Sequence, residues 1–457
     1  MTRGRDGGVG APPTQHRALL AAVVAAIVAL SAAIFVGVAA DDGTKDRTAL
    51  ARGGQPRGTA APASTGTWVG AWSASPAAAE PGTETTGMAG RSVRNVVHAG
   101  VGGTGARITL SNLYGQSPLT VSHASIALAA GPDTPAAIAG TMRRLTFSGR
   151  PQVVIPAGSQ VVSDAVRLAV PYGSDVLVTT YSPTPSGPVT YHPHARETSY
   201  LATGDRTEDV TATAYTEQTR YWRYLTALDL LSNEAEGTVV AIGDSITDGN
   251  TSTPDTNRRW TDVLAARLHT AVASGRDDVP RYSVVNQGIS GNRVLTGGQG
   301  RPADNPSGID RFARDVLGRP NVRVVVVVLG VNDILRYPGP GAIDPDAVLD
   351  GLRTMVEQAH GRGLKVVGAT VMPFGGHRGY TDARESARQE INAEIRAGRV
   401  FDAIVDFDKE LRDPYDPRRL RAEYDCGDHL HPSDRGYARM GEVFDLEALM
   451  GAAPARL

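Results

Sequence analysis

The sequence predicts an α/β fold built on a parallel sheet covered on both faces, preceded by an all-β region of sandwich or jelly-roll type. Three observations carry this. From about residue 237 to 450, apolar strand-like runs alternate with amphipathic helical stretches, the signature of strand–helix–strand units. The run 323–329, Arg-Val-Val-Val-Val-Val-Leu, is apolar on both faces after its arginine, as a central parallel strand must be. From 67 to about 205, short apolar runs are separated by Gly and Pro instead of by helices.

In the α/β half, strands are expected at 238–242, 282–286, 322–329, 364–372 and 402–407. Helical spacing of three and four residues links Trp260, Val263, Leu264 and Leu268. It recurs through Val348, Leu352, Met355, Val356 and Ala359, and through Tyr437, Met440 and Phe444. In the β-rich half the runs fall at 106–113, 119–129, 152–155, 161–170 and 176–181. Val166, Leu168 and Val170 alternate with polar or small neighbours, which marks a strand with one wet face. Trp68 and Trp72 read as core residues of this half. The stretch 206–236 is taken as the connection, with Tyr221, Trp222 and Tyr224 packing where the halves meet.

Residues 18–40 carry no charge, follow Arg3, Arg5 and Arg17, and precede Asp41 and Asp42. At 1.5 Å per residue such a segment spans a bilayer. Residues 1–40 are therefore expected to be a signal-anchor or a cleaved signal peptide, with the remainder outside the cytoplasm, either secreted or held by that helix. Residues 41–66, rich in Gly, Pro, Ala and Thr, read as a flexible linker. The chain has 457 residues, 46 Lys plus Arg and 48 Asp plus Glu, so no polyanion-binding character and no nucleic-acid partner is expected. Its one cysteine, Cys426, excludes an internal disulfide and reads as a small buried side chain. No cofactor or metal is expected. His192 and His194 share a strand face and could ligate an ion, but no third ligand accompanies them, so they read as surface or hydrogen-bonded histidines.

The chemistry is concentrated in four segments. Gly243-Asp244-Ser245-Ile246-Thr247-Asp248-Gly249 follows the first strand, so Ser245 sits on a tight turn at a strand's C-terminal end, where open α/β sheets carry their sites. A serine hydroxyl needs a neighbouring base to act as nucleophile. His431 in Cys426-Gly427-Asp428-His429-Leu430-His431-Pro432 supplies one, with Asp428 three residues earlier able to hold the other imidazole nitrogen. His429, adjacent to that aspartate, is the rival base and should point elsewhere. Pro432 biases His431 away from helix and can start the helix that follows. Gly291, in the 285–292 segment after the second strand, can bring its N–H close to a substrate, and the Asn332 amide, after the third strand, can donate as well. With the Ser245 N–H these make three donors for an oxyanion. Asp244 and Asp248 flank the serine and read as turn-capping, hydrogen-bonding groups. Asn286 joins Asp244 as a support. The absence of a Gly-x-Ser-x-Gly elbow argues against the ordinary α/β-hydrolase fold.

These four blocks, GDSITDG, NQGISGN, GVND and DHLHP, resemble those of the SGNH (GDSL-type) hydrolases. The resemblance covers about 237–450. It implies a three-layer α/β/α, flavodoxin-like domain across 237–457. It also implies Ser245, Asp428 and His431 as the catalytic triad, with Ser245, Gly291 and Asn332 as the oxyanion hole. The β-rich segment 67–205 is similar to the N-terminal domain of some exported bacterial members. The activity implied is hydrolysis of carboxylic esters through an acyl-enzyme, on a small-molecule, glycan or lipid ester. Short acyl groups such as acetyl on extracellular carbohydrate, or small esters, are the leading expectation. A lipase or lysophospholipase activity, O-acyl transfer, or a mainly carbohydrate-binding protein are the alternatives.

Overall fold

The computed structural model describes residues 66–298, 305–337 and 343–452. The expected export segment 1–40 and nearly all of the linker 41–66 lie outside them. Among the described residues no helix is long and apolar enough to cross a membrane.

Five parallel strands form the sheet of the α/β half: Gly237–Gly243, Tyr282–Gly288, Val322–Val328, Lys365–Ala369 and Ala403–Val405. Taken in chain order they lie 2-1-3-4-5, the flavodoxin-like arrangement. Val324 to Val328 are all buried, which is why that strand could be read without any polar alternation. Three of the helices that cover the sheet start where a side chain caps free N–H groups. Asp344 caps Pro345–His360, with proline at the helix start; Thr381 caps Asp382–Arg396 and Ser433 caps Asp434–Glu442. Pro432 is therefore not the start of the last helix; Ser433 takes that place because its hydroxyl accepts the Gly436 N–H. The fifth strand is shorter than the run 402–407, because Asp406 caps a short helix at Phe407–Leu411 and turns the chain out of the sheet. Trp260, fully buried, stacks on Phe444 (centroids 5.3 Å apart) and meets Phe407 edge-on, locking the first helix to the chain's last turn.

The β-rich half is a sandwich of antiparallel sheets. One holds Thr67–Ser73, Leu225–Ser232, Gly103–Ser111 and Val166–Val170. The other holds Ser199–Thr203, Arg91–His98, Asp175–Ser182 and His123–Leu128. Ile108, Leu110, Leu228 and Leu230 from the first meet Val93, Val97, Ile126 and Val178 from the second in one core. Trp72 is buried there, while Trp68 carries the Arg107 guanidinium over its ring at 4.5 Å.

The stretch 206–236 is not simply a connection. It supplies the strands Glu217–Thr219, Trp222–Arg223 and Leu225–Ser232, the last running between Thr67–Ser73 and Gly103–Ser111. Short runs punctuated by aromatic residues hid this, and the partners of Leu225–Ser232 lie more than a hundred residues earlier. Trp222–Arg223 pairs with Thr190–His192, which places His192 opposite Trp222.

All described residues belong to a single compact unit. At the seam, Gly70 N–H donates to Thr238 Oγ1 at 3.1 Å, and a Cβ on Gly70 would stand 2.9 Å from Val285, closer than carbon atoms approach. Arg311 is the central stitch. Its guanidinium is completely buried and donates to the carbonyls of Gly243 (2.9 Å) and Gln287 (2.7 Å), to Ser75 Oγ from the β sandwich, and to Asn292 Oδ1. Asp315 balances its charge at 3.2 Å. Arg314 also pairs with Asp315, so losing Arg311 would not strand that carboxylate; it would take a buried donor from Gln287, Ser75 and Asn292. Arg311→Ala is expected to lower stability by at least about 1–3 kcal/mol, the cost of a buried polar group left unsatisfied, read from the midpoint of chemical denaturation; a midpoint unchanged from wild type would deny Arg311 this role.

Candidate active site

The first three parallel strands end at one rim, where the strand order reverses, and the site residues hang from the segments that leave it. After Gly243 the chain enters a one-turn helix, Ser245–Asp248, capped by Asp244, whose Oδ1 accepts the Ile246 N–H at 2.9 Å. Gly249 closes the turn in the left-handed region at φ 92°. The turn presses on the neighbouring strand so closely that a Cβ at Gly288 would lie 2.3 Å from Asp248 N. Asn286 braces it by donating to the Thr247 carbonyl and to Thr261 Oγ1.

Ser245 Oγ lies 2.8 Å from His431 Nε2, and His431 Nδ1 donates to Asp428 Oδ2 at 2.6 Å. Three groups remote in sequence thus form one hydrogen-bonded line. The Asp428 carboxylate is fixed twice more, because its Oδ1 accepts the N–H groups of Leu430 and His431. Partial burial alone would raise its pKa. Hydrogen bonds from the His431 ring and backbone, with the charge of that ring, overcome this and hold it well below the usual carboxylate range. His429 is turned away; its Nδ1 bonds Asp425 at 2.7 Å.

Gly291 follows the second strand with φ 80°, a conformation that glycine adopts without strain. Asn332 follows the third. Its Oδ1 accepts from Arg336 Nε at 3.0 Å, which fixes the amide plane. Its Nδ2 is buried and forms no aligned hydrogen bond in the protein, although Asp244 lies near enough to feel its dipole. A buried amide donor without an acceptor is costly unless something else occupies it. Ser245, Gly291, Asn332, Asp428 and His431 all line one cleft of about 470 Å³, together with His194, Arg336, His377 and Arg378.

Several of these neighbours were not legible as site residues. His192 is buried, not on the surface. Its Nδ1 donates to the Ser75 carbonyl and its Nε2 to Asp248 Oδ1, both at 2.9 Å. The other Asp248 oxygen accepts the Ser290 N–H (2.9 Å) and hydroxyl (2.7 Å). Burial would push this carboxyl up, but the His192 charge and hydrogen bond, helped by His194 and Ser290, hold it below its ordinary value. Arg259, lying 5.7 Å from the Trp222 ring, donates to the Asp248 carbonyl and to the Ala195 carbonyl of the β sandwich. The only sequence signal for this was Tyr-His-Pro-His, whose partner is not readable at a distance of 56 residues. His194 ligates nothing with His192 and instead faces the cleft.

Among the described residues, the donor atoms of Asp425, Cys426 and Asp428 are the one acid and thiol group close enough to share an ion. Both carboxylates there are already engaged by His429 and His431, and Cys426 is exposed instead of buried as expected. The sharp turn at Gly427 (φ 106°) turns its side chain outward.

Residues 241–439 match the GDSL-like Lipase/Acylhydrolase family. They form a GDSL-like lipase/acylhydrolase domain. The acylhydrolase domain makes this chain a carboxylic ester hydrolase. No curated protein matches the chain. Among solved structures, the chain is similar to a GDSL-like lipase from Bacteroides thetaiotaomicron, with 20% identity over 45% of this chain and 84% of that one (TM-score 0.32). It is similar to Est24, a carbohydrate acetylesterase from Sinorhizobium meliloti, with 17% identity over 45% and 95% (TM-score 0.35). It is also similar to a carbohydrate esterase family 2 enzyme with a carbohydrate binding domain from Corynascus thermopiles. That match has 16% identity and covers 82% of this chain and 96% of the other (TM-score 0.36).

Two measurements check the electrostatics of the acylhydrolase turn. His192→Phe leaves Asp248 without its counter-charge and is expected to cost about 3–5 kcal/mol in denaturant titration. Burial pushes the Asp244 carboxyl up to about 6, with Asp333 adding to the effect. A raised acid favours its neutral form in the folded protein, so its contribution to stability is lost as pH rises from about 4 to about 6. Asp244→Asn, which keeps the capping oxygen, is expected to flatten that segment of the Tm profile; an unaltered slope would show that Asp244 does not set it.

Proposed function

We propose that this ester hydrolase works through a Ser245 acyl-enzyme on esters with short acyl groups, acetyl above all, carried by extracellular carbohydrate or small alcohols. The hydrogen-bonded line Ser245–His431–Asp428 is the observation that carries the mechanism. His431 Nε2 accepts the Ser245 proton as Oγ attacks the ester carbonyl. Asp428, held ionised, orients the ring and stabilises the imidazolium that forms. The carbonyl oxygen, now negative, is received by the N–H groups of Ser245 and Gly291 and by Asn332 Nδ2, a buried donor with no well-aligned acceptor in the protein. His431 then protonates the departing alcohol. Water repeats the sequence on the acyl-enzyme and restores the serine.

The cleft lining supports a short acyl group. Among the described residues that form it, Leu430 is the lone aliphatic side chain; the rest are serine, asparagine, glycine, histidine, arginine and aspartate. A long acyl chain needs an apolar trough to leave water, at roughly 0.8 kcal/mol per methylene. A cleft without a run of aliphatic side chains, and with arginines in its wall, fits a small acyl group beside a hydroxyl-rich or charged leaving alcohol. Export through the 18–40 segment, as read from the sequence, would put the enzyme where such substrates occur.

Ser245→Ala is expected to reduce turnover of 4-nitrophenyl acetate by roughly three to six orders of magnitude, with near-wild-type activity refuting the acyl-enzyme. Asn332→Ala is expected to reduce kcat by about 10²–10³ with KM little changed. The pH profile of activity should show no limb in the ordinary carboxylate range from Asp428, since that carboxyl is held well below it. Across 4-nitrophenyl esters from acetate to palmitate, kcat/KM should fall with chain length; a maximum at palmitate would overturn the short-acyl assignment.

A further inference from the structure

We propose that the substrate bears a carboxylate near its ester, and that Arg378 reads that charge. This rests on the ester-hydrolase reading of the same cleft and narrows it to acidic esters.

The cleft is lined by two arginines and three histidines against one carboxylate. That carboxylate, Asp428, is turned to the His431 ring and to two backbone N–H groups, so it is not available to neutralise an arginine. Arg336 sits at the end of the short helix Val331–Leu335 and already gives its Nε to Asn332, which places its positive charge beside the oxyanion donors. Arg378 stands in a turn fixed by three hydrogen bonds: His377 N–H to Phe374, Tyr380 N–H to His377, and Gly379 N–H to the His377 ring. Among the described residues Arg378 forms no hydrogen bond and no ion pair, yet it faces the cleft. Arginines nearby behave otherwise. Arg418 and Arg419 both pair with Asp416, and Arg384 donates to the Gly379 carbonyl. An exposed, unpaired guanidinium lining the same cleft as Ser245 is a planar two-pronged donor, which matches a carboxylate better than any neutral group.

The flanking histidines add hydrogen bonds more than charge. Burial lowers the pKa of both His194 and His377, so each presents a neutral ring at neutral pH. A neutral imidazole both accepts and donates, which suits hydroxyl groups around an acidic unit. His194 comes from the β sandwich, so this half contributes directly to the wall that meets the substrate.

Two matched pairs test the proposal. For a charge on the acyl side, mono-4-nitrophenyl glutarate is compared with 4-nitrophenyl valerate, of equal chain length. For a charge on the alcohol side, acetylated polygalacturonate is compared with the same polymer after methyl esterification. The anionic member of one pair is expected to lead in kcat/KM by about tenfold or more, mostly through KM, and the gap should narrow as salt is raised. Arg378→Gln is expected to shrink this ratio about fivefold or more, and Arg378→Lys to keep part of it. The pair that responds tells which side of the ester carries the charge. Preference in neither pair, or a ratio unmoved by Arg378→Gln, overturns the proposal. In that event, turnover of the neutral esters that vanishes in Ser245→Ala leaves the ester-hydrolase reading standing, whereas turnover of none of the four overturns both.

Discussion

The arrangement turns on one buried carboxylate, Asp248. It closes the turn that carries Ser245, and each of its oxygens is bound to a different part of the molecule: one to His192 from the β sandwich, the other to Ser290 beside Gly291. A charge removed from water at such a position is tolerable only when it is paired and fully hydrogen-bonded. Meeting that condition fixes the turn against both the second strand's exit and the neighbouring half of the protein. The Ser245 turn and the segment carrying Ser290 and Gly291 are thereby held against one another.

The same condition explains why the β-rich half is packed so tightly. It is not a module on a tether. Ser75 meets Gln287 and Arg311, Gly70 lies against Val285, and Ala195 receives Arg259. Buried arginines do this work because a guanidinium offers five donors in a rigid plane and can satisfy carbonyls from several strands at once. Arg311 alone ties the ends of two parallel strands to the sandwich. A binding role for this half, if it has one, is exercised in company with the active site.

The electrostatics divide in two. Behind the serine, the carboxyls of Asp244 and Asp333 are raised by burial, each to about 6, while Asp428 in front is held low by hydrogen bonds to His431. The groups behind the turn are structural, held by backbone N–H groups. The group in front faces solvent on one side and can stabilise a proton arriving on His431. Asn332 stands between the two regions, oriented through Arg336 and left with an unmet donor.

The amino-acid sequence alone determined what short-range pattern can determine. Apolar runs marked the parallel strands, because a strand buried on both faces has no polar residues to obscure it. Gly and Asp around Ser245 marked a turn, and four blocks named the residues that the structure gathers in one cleft. Boundaries moved where a cap intervened, as at Asp406 and Ser433. Only the tertiary structure decided which side chains of the β sandwich reach the Ser245 turn, that 206–236 completes the sandwich, and that Arg378 and His194 line the same cleft as the serine. The physical reason is range. A turn, a cap or a strand face is set by neighbours a few residues away, whereas an ion pair such as His192–Asp248 exists only after two separately specified surfaces have packed together.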